Sequence, residues 1–259
     1  MLLAIDIGNT QTALGLFDGE ELVHSWRMPT DRTFTKDEIH VRLLGYLRMY
    51  DLRLDCIDAI ALAGVVPQLK REWHAVATLL VGDDYVTVGK DTAHVTHVKA
   101  PNPHEVGADR IANAVAAEKH YGAPAIVVDF GTATNIDVVD ETGAYIGGAI
   151  APGIRISFDA LTARAAQLAS IPLETPPHAI GVTTLEALQS GTVIGAAAMA
   201  EGLVARIKRE LGREDATVIA TGGLAATVAS STDIFDHIDR QLTLKGICEI
   251  YRRVEQARS

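Results

Sequence analysis

Hydrophobic and polar positions along the chain follow two periodicities in turn, and this alternation predicts an α/β fold. Short apolar runs typical of buried strands lie at about 57–64, 125–129 and 217–221. Between them, apolar residues recur at helical spacing, which predicts helices at about 35–50, 68–80, 107–121, 157–168 and 184–211. Strands that alternate with helices in this way are typical of α/β proteins.

The first predicted helix has the clearest boundary signal. Thr35 and Glu38 have the spacing of a capping box, in which each side chain accepts a backbone N–H of the other residue. Ile39, Leu43 and Leu47 then recur at four-residue intervals, so one face of this helix is expected to pack into a core.

An internal repeat relates two halves of the chain. Residues 128–146 match residues 5–23 at a constant offset of 123, which brings Asp129-Phe130-Gly131 onto Asp6-Ile7-Gly8. Each copy predicts a strand, a tight glycine turn, a second strand, a hairpin turn and a third strand. Because this offset is nearly half of 259 residues, we expect two similar lobes, at 1–115 and 116–259, with a cleft between them.

Composition narrows the function classes. The chain has 33 acidic and 23 basic residues, a net charge of −10 and 48% hydrophobic residues, which exclude disorder and argue against a general nucleic-acid binder. Its two cysteines are too few for a disulfide framework or a zinc site. With neither an uninterrupted apolar run of about 18 residues nor a signal-peptide pattern, the expectation is a cytoplasmic protein without a membrane partner.

The paired Asp-x-Gly turns suit a nucleoside triphosphate. Glycine lets backbone amides approach phosphate oxygens, and carboxylates nearby can hold cations or metal-bound water. A third glycine turn, Thr221-Gly222-Gly223, strengthens this reading, although each Asp-Gly could be only a hairpin turn. Neither a Walker A pattern nor G-x-G-x-x-G occurs, and no His-Arg-Asp loop accompanies Asp129-Phe130-Gly131 as it would in a protein kinase.

Three further segments are candidates for a site. Asp109, which follows Gly107 at a predicted helix start beside Arg110, has the setting of a general base, or of a carboxylate that only interacts with the helix dipole. The glycines and proline of 147–153 indicate a loop that lines a site, or a structural loop between lobes. Thr183 forms a predicted capping box with Glu186, which leaves the Thr184 hydroxyl for a ligand. His94 and His97 lie in a strand-like stretch without a third metal ligand nearby.

Six motifs together resemble those of the type III pantothenate kinases, in the superfamily of actin, sugar kinases and heat-shock ATPases. They are DIGNT at 6–10, VGADR at 106–110, DFGTATN at 129–135, GGAIAPG at 147–153, LQSG at 188–191 and TGG at 221–223. The resemblance implies an α/β homodimer of duplicated ribonuclease-H-like lobes with an interlobe nucleotide cleft. It also implies ATP-dependent phosphorylation of pantothenate to 4′-phosphopantothenate, the first step of coenzyme A synthesis.

The same resemblance assigns site residues. Asp109 would be the catalytic base, Asp129 would bind a monovalent cation (K⁺ or NH₄⁺), and Asp6 would hold Mg²⁺ through water. Residues expected to contact pantothenate are Gly107, Ala108, Asp109, Arg110 and Thr184. Those expected to contact ATP are Asp6, Ile7, Gly8, Asn9, Thr10, Gln11, Thr12, Ala13, Thr132, Gly222 and Gly223.

Two positions depart from the family pattern. Ala100 stands where the family often has an aromatic residue, typically Tyr, that packs on pantothenate, and Gln11 stands where Asn is common. Two alternatives therefore stay open. One is a kinase of another small hydroxy compound, and the other is a nucleotide-binding accessory protein that does not catalyse.

Overall fold

Two five-stranded sheets with the same strand order form the framework of the chain, whose computed structural model describes residues 1–164 and 171–258. The first sheet has the order β3-β2-β1-β4-β5, with β1 Leu2–Ile7, β2 Gln11–Asp18, β3 Glu21–Pro29, β4 Ala59–Gly64 and β5 Tyr85–Thr87. The second has the order β8-β7-β6-β9-β10, with β6 Ala125–Phe130, β7 Ala133–Val139, β8 Tyr145–Pro152, β9 Thr217–Thr221 and β10 His237–Ile238.

Strand directions repeat as well as strand order. The central strand β1 is antiparallel to β2 and parallel to β4, and β6 is likewise antiparallel to β7 and parallel to β9. The sheets therefore confirm the duplicated α/β architecture that the repeat predicts.

Helices follow the strands in both halves. Those in the described residues are α1 Lys36–Arg48, α2 Pro67–Val81, α3 Ala108–Tyr121, α4 Ile154–Arg164, α5 Thr184–Gln189, α6 Gly195–Leu211, α7 Ala225–Ala229 and α8 Leu242–Arg258. The predicted capping box of α1 is confirmed, since Thr35 accepts the Glu38 N–H and Glu38 accepts the Thr35 N–H. Its residues Ile39, Leu43 and Leu47 are buried in the core beside the first sheet.

The chain divides into two compact units whose ranges differ from the expected 1–115 and 116–259. The first unit contains Met1–Lys119 together with the residues from Leu242 onward, and the second contains His120–Gln241. Helix α8 belongs to the first unit because its buried face, including Ile247 and Ile250, packs in one cluster with Ala4 of β1 and Ala61 of β4.

Helices α3 and α8 approach each other closely inside the first unit. A Cβ on Gly246 of α8 would lie only 1.9 Å from the carbonyl oxygen of Ala112 in α3. The Thr243 hydroxyl also donates to the Asn113 side chain at 2.8 Å. Glycine at position 246 therefore sets the distance between two helices that are far apart in sequence.

Several local predictions need correction. Residues 147–152 belong to strand β8 and not to a loop. His94 lies in a turn and His97 in irregular backbone, so neither is in a strand. The helix predicted at 157–168 begins earlier, at Ile154, and residues 165–168 lie outside the described residues. The helix predicted at 184–211 is interrupted by a π-helical turn at Ser190–Ile194. It ends at Leu211 as predicted, and the left-handed Gly212 follows it.

One helical stretch of the described residues, Thr184–Leu211, has the length and apolar composition needed to cross a membrane. By these two criteria alone, a core helix of an ordinary globular protein would also qualify. Its residues Ala197, Ala200 and Val204 are buried in the core of the second unit, in one cluster with residues of strands β6 and β9. This packing accounts for the apolar face of the helix.

Candidate functional site

Two aspartates occupy equivalent places at the ends of the central strands. Asp6 lies opposite Ala13 of β2 and Ala63 of β4, near the end of β1. Asp129 lies opposite Asn135 of β7 and Thr221 of β9, near the end of β6. Both side chains are half-buried, so each unit presents one carboxylate beside a glycine turn.

The turn after β1, which comprises Gly8, Asn9 and Thr10, exposes much of its polar surface. The Gly8 N–H donates to the carbonyl of Gln11 at 3.1 Å, and a Cβ on Gly8 would lie 2.9 Å from the same oxygen. Asn9, Thr10 and Gln11 are exposed, whereas Ile7 and Thr12 are buried. Within the predicted ATP-binding segment, Ile7 and Thr12 are therefore available to a ligand only through the backbone.

Thr30, which belongs to no sequence motif, supports this turn from the end of β3. The Thr30 hydroxyl donates to the carbonyl of Gly8 at 2.8 Å and lies 3.0 Å from the hydroxyl of Thr12. The Thr30 N–H donates to the carbonyl of Thr10 at 3.0 Å. A single threonine after a proline carries no motif signal, but its position opposite the turn could be inferred once β2 and β3 are paired.

The turn after β6 brings three predicted residues together in the second unit. A Cβ on Gly222 would lie 2.4 Å from Oδ1 of Asp129, and a Cβ on Gly131 would lie 3.3 Å from the same atom. Gly222 also has a positive φ of 94°, which glycine adopts without strain. Asp129 thus lies against the backbone of the third glycine turn. The sequence related this turn to Asp129 only because both have glycines that suit a phosphate site.

Thr132 is positioned by a second close approach. A Cβ on Gly153 would lie 2.0 Å from the carbonyl oxygen of Thr132, so the chain that leaves β8 touches the turn directly. The segment 147–153 therefore reaches the turn through Gly153, at the end of an edge strand, and its glycines permit close backbone contact instead of forming a loop.

The two turns differ by one residue. Three residues separate β1 from β2, but only Gly131 and Thr132 separate β6 from β7. Pairing therefore places Thr12 opposite Ile7 and Thr134 opposite Phe130, an offset of 122 beyond the turn. The constant offset of 123 is correct for the first strand and wrong for the second.

The start of α3 forms a compact group in the first unit. Oδ1 of Asp109 accepts the Arg110 N–H at 2.9 Å, and a Cβ on Gly107 would lie 2.4 Å from the same oxygen. Asp109 and Arg110 are half-buried, while Ala108 is buried in the core and contributes only its backbone. Gly107 thus lies directly against the Asp109 carboxylate, where a Cβ would displace it.

A cavity of about 310 Å³ adjoins this group in the first unit. Val106 and Ile111 of its wall flank the segment Gly107–Arg110 on either side in sequence, and Thr96 and His104 supply polar groups. The wall is otherwise mainly apolar, so the cavity is suited to a small molecule with aliphatic carbons and a few polar atoms.

Thr184 lies in the second unit at the first position of α5, and it is exposed. The Thr183 hydroxyl caps this helix by accepting the Glu186 N–H at 3.2 Å. The Glu186 carboxylate accepts the Val182 N–H at 2.8 Å instead of the Thr183 N–H, so the predicted capping box is only half formed. The Thr184 hydroxyl is not needed for capping.

Comparison with known proteins decides the family. A family model described as type III pantothenate kinase matches residues 2–206. The chain belongs to this family. Among type III pantothenate kinases, the protein of Streptomyces griseus is 48% identical over 98% of both chains, and that of Thermomicrobium roseum is 47% identical over 99% of both.

A solved structure outside the family shares the fold alone. Component A of the (R)-2-hydroxyglutaryl-CoA dehydratase of Acidaminococcus fermentans has a TM-score of 0.60 at 14% sequence identity. The similarity covers 100% of this chain and 99% of that chain. The fold of this member of the type III pantothenate kinase family thus also occurs in a protein of low sequence identity.

Proposed function

We propose that this chain transfers the γ-phosphoryl group of ATP to the hydroxyl of pantothenate and so catalyses the first step of coenzyme A synthesis. The observation that carries the proposal is the pair of equivalent hairpins after β1 and β6, in a chain of the type III pantothenate kinase family. Each hairpin presents an aspartate and a glycine turn, the groups that phosphates and their cations require.

We assign ATP binding to backbone amides and small polar side chains of the glycine turns. In the first unit these belong to Asp6–Ala13, with Ile7 and Thr12 acting through their backbone because their side chains are buried. In the second unit they belong to Thr132, Gly222 and Gly223. A glycine at each turn lets phosphate oxygens approach the amides closely.

Asp109 acts as the general base. Its carboxylate takes the proton of the pantothenate hydroxyl while that oxygen attacks the γ-phosphorus in line with the departing ADP. Pantothenate is bound by Gly107, Ala108, Arg110 and Thr184. The Arg110 guanidinium offsets the negative charge of the pantothenate carboxylate.

Cations offset the charge that ATP adds beside Asp6 and Asp129. A kinase of this class uses a divalent ion with ATP, and we assign Mg²⁺ to Asp6 through water and K⁺ or NH₄⁺ to Asp129. Oxygen donors of this kind fit these hard cations, and Mg²⁺ commonly uses only one or two carboxylates beside phosphate. When bound, the cations neutralise charge on the phosphates.

The active form is a cytoplasmic homodimer.

The test is ADP release coupled to pantothenate, with ATP, Mg²⁺ and K⁺ present. Asp109→Asn is expected to lower kcat by about 10²- to 10⁴-fold, the usual contribution of a positioned base. Asp37→Asn is a matched control, because Asp37 also lies in the first turn of a helix but is exposed in α1. Full activity of Asp109→Asn would overturn the assigned base.

A panel of small alcohols in the same assay tests the acceptor. Turnover of another hydroxy compound in place of pantothenate would favour the alternative kinase, which the alanine at position 100 suggests. Binding of ATP without turnover of any alcohol would favour a non-catalytic nucleotide-binding protein.

A further inference from the structure

Thr30 makes three hydrogen-bonding contacts with the first glycine turn and its flank. Its hydroxyl donates to the Gly8 carbonyl at 2.8 Å, its N–H donates to the Thr10 carbonyl at 3.0 Å, and its hydroxyl oxygen lies 3.0 Å from that of Thr12. Thr30 itself is half-buried at the end of β3, outside every motif that the family resemblance uses.

These contacts fix the direction of the peptide groups in the turn. In a planar trans peptide, the carbonyl and the N–H of the next residue point in opposite directions. Because the Gly8 carbonyl points toward Thr30, the Asn9 N–H points away from it. Thr30 therefore draws two carbonyl oxygens, those of Gly8 and Thr10, away from the exposed side of the turn, where they would repel phosphate.

The second copy of the repeat has no equivalent of the Thr30 contacts, as far as the described residues show. Pro29 and Pro152 end the equivalent strands β3 and β8, and they are followed by Thr30 and Gly153 respectively. With glycine in place of threonine, the buried Thr134 hydroxyl, which is equivalent to that of Thr12, has no hydrogen-bond partner among the described residues. The threonine contacts are thus specific to the first turn and are not a general requirement of the fold.

We propose that Thr30 is a positioning residue for ATP, which orients the first turn so that its amides face the phosphates. The inference rests on the proposed function, because it assigns the ligand of that turn. Thr30 does not itself contact the nucleotide in this assignment, and its effect is transmitted through the Gly8 and Thr10 carbonyls.

The experiment compares Thr30→Val, which has nearly the same shape but no hydroxyl, with Thr30→Ser, which keeps the hydroxyl. Fluorescent mant-ATP with Mg²⁺ measures nucleotide binding without an acceptor, and steady-state kinetics separate KM for ATP, KM for pantothenate and kcat. Thr162→Val is the control, since Thr162 also donates to a backbone carbonyl, that of Phe158 at 3.1 Å, but lies in α4.

Thr30→Val is expected to weaken mant-ATP binding and to raise KM for ATP by about tenfold, with KM for pantothenate unchanged, because the Gly8 carbonyl loses its partner. Thr30→Ser is expected to bind within about twofold of the wild type, as is Thr162→Val.

Equal mant-ATP binding by folded Thr30→Val and wild type would overturn the inference, as would a Thr30→Ser variant that binds as weakly as Thr30→Val. If the wild type binds no nucleotide, the proposed function and this inference both fail. If the Thr30 variants behave as expected but pantothenate is not phosphorylated, the inference is supported and only the proposed acceptor fails.

Discussion

At the scale of single residues, two of the proposed functional aspartates lie against glycine. A Cβ on Gly107 would lie 2.4 Å from Oδ1 of Asp109, and a Cβ on Gly222 would lie 2.4 Å from Oδ1 of Asp129. Any larger residue at either position would displace the carboxylate or the backbone. The two glycines therefore determine where negative charge is placed in each unit.

Gly222→Ala is expected to lower kcat/KM for ATP by about 10- to 100-fold, because the methyl group displaces Asp129 and misplaces the turn. Steady-state kinetics under saturating pantothenate measure this change.

Gly122→Ala is the matched control. Gly122 has a similar φ of 85°, but a Cβ there meets no atom of the described residues within 4 Å. It should cost stability through backbone strain and leave kcat/KM unchanged. Equal losses of kcat/KM in both variants would show that strain, and not displacement of Asp129, is responsible.

Some site residues can be predicted from the sequence because their chemical type and near neighbours indicate a role. Others cannot, because their role depends on contacts with residues that are distant in sequence. Asp6 and Asp129 are recognisable because two Asp-x-Gly turns recur at matching places in the repeat, and Asp109 because it closely follows a glycine at a predicted helix start. Thr30 could not be recognised in this way, since its importance depends on strand pairing. The burial of Ile7 and Thr12 also depends on which side of β1 and β2 faces the core.

At the scale of elements, helix α8 depends on one glycine for its contact with α3. Gly246→Ala is expected to lower the free energy of unfolding by about 3 kcal/mol or more, because the methyl group would overlap the Ala112 carbonyl. Urea denaturation measures the change.

Gly202→Ala in α6 provides the contrast for the helix substitution. Within the part of the chain that the structure describes, a Cβ at Gly202 meets nothing within 4 Å, so alanine there should raise the free energy of unfolding by about 0.5–1 kcal/mol. A Gly246→Ala variant as stable as the wild type would contradict the close packing of α3 and α8.

Helices and strands that have a local sequence pattern were predicted. Those that depend on contacts with residues distant in sequence were not. The capping box of α1 and strand β9 agree with prediction because caps and buried apolar runs are local features. Strand β8 resembles a loop because of its glycines, yet a Cβ on Gly148 would lie 1.8 Å from the Ile136 carbonyl. Helix α8 went unpredicted, and its apolar face packs against residues more than 180 positions earlier, such as Ala61.

At the scale of the whole molecule, the free energy of unfolding should depend on pH in the alkaline range, because two groups have raised pKa values. Burial, together with the hydrogen bond that its hydroxyl donates to Asp239 at 2.9 Å, raises the pKa of Tyr121 from 10.0 to about 12. Burial also raises the pKa of the Cys248 thiol from 9.0 to about 12. Both groups hold their protons more tightly in the folded chain than in the unfolded chain.

The free energy of unfolding should therefore be highest below the unfolded pKa values and fall as pH rises from about 9 to about 12, because the unfolded state loses protons first. In Tyr121→Phe, the decrease above pH ~10 should be shallower, since one of these groups is absent. Urea denaturation across this range measures both slopes, and identical slopes would contradict the raised pKa of Tyr121.

The placement of α8 also has a consequence for synthesis. A ribosome adds about 5–20 residues per second, so tens of seconds at most separate the completion of β5 from the emergence of α8. During that interval His120–Gln241 is made in full, while the face of the first sheet that carries Ala4 and Ala61 still lacks Ile247 and Ile250. The apolar face of the nascent first unit thus stays uncovered by α8 until the chain is nearly complete, although this unit is translated first.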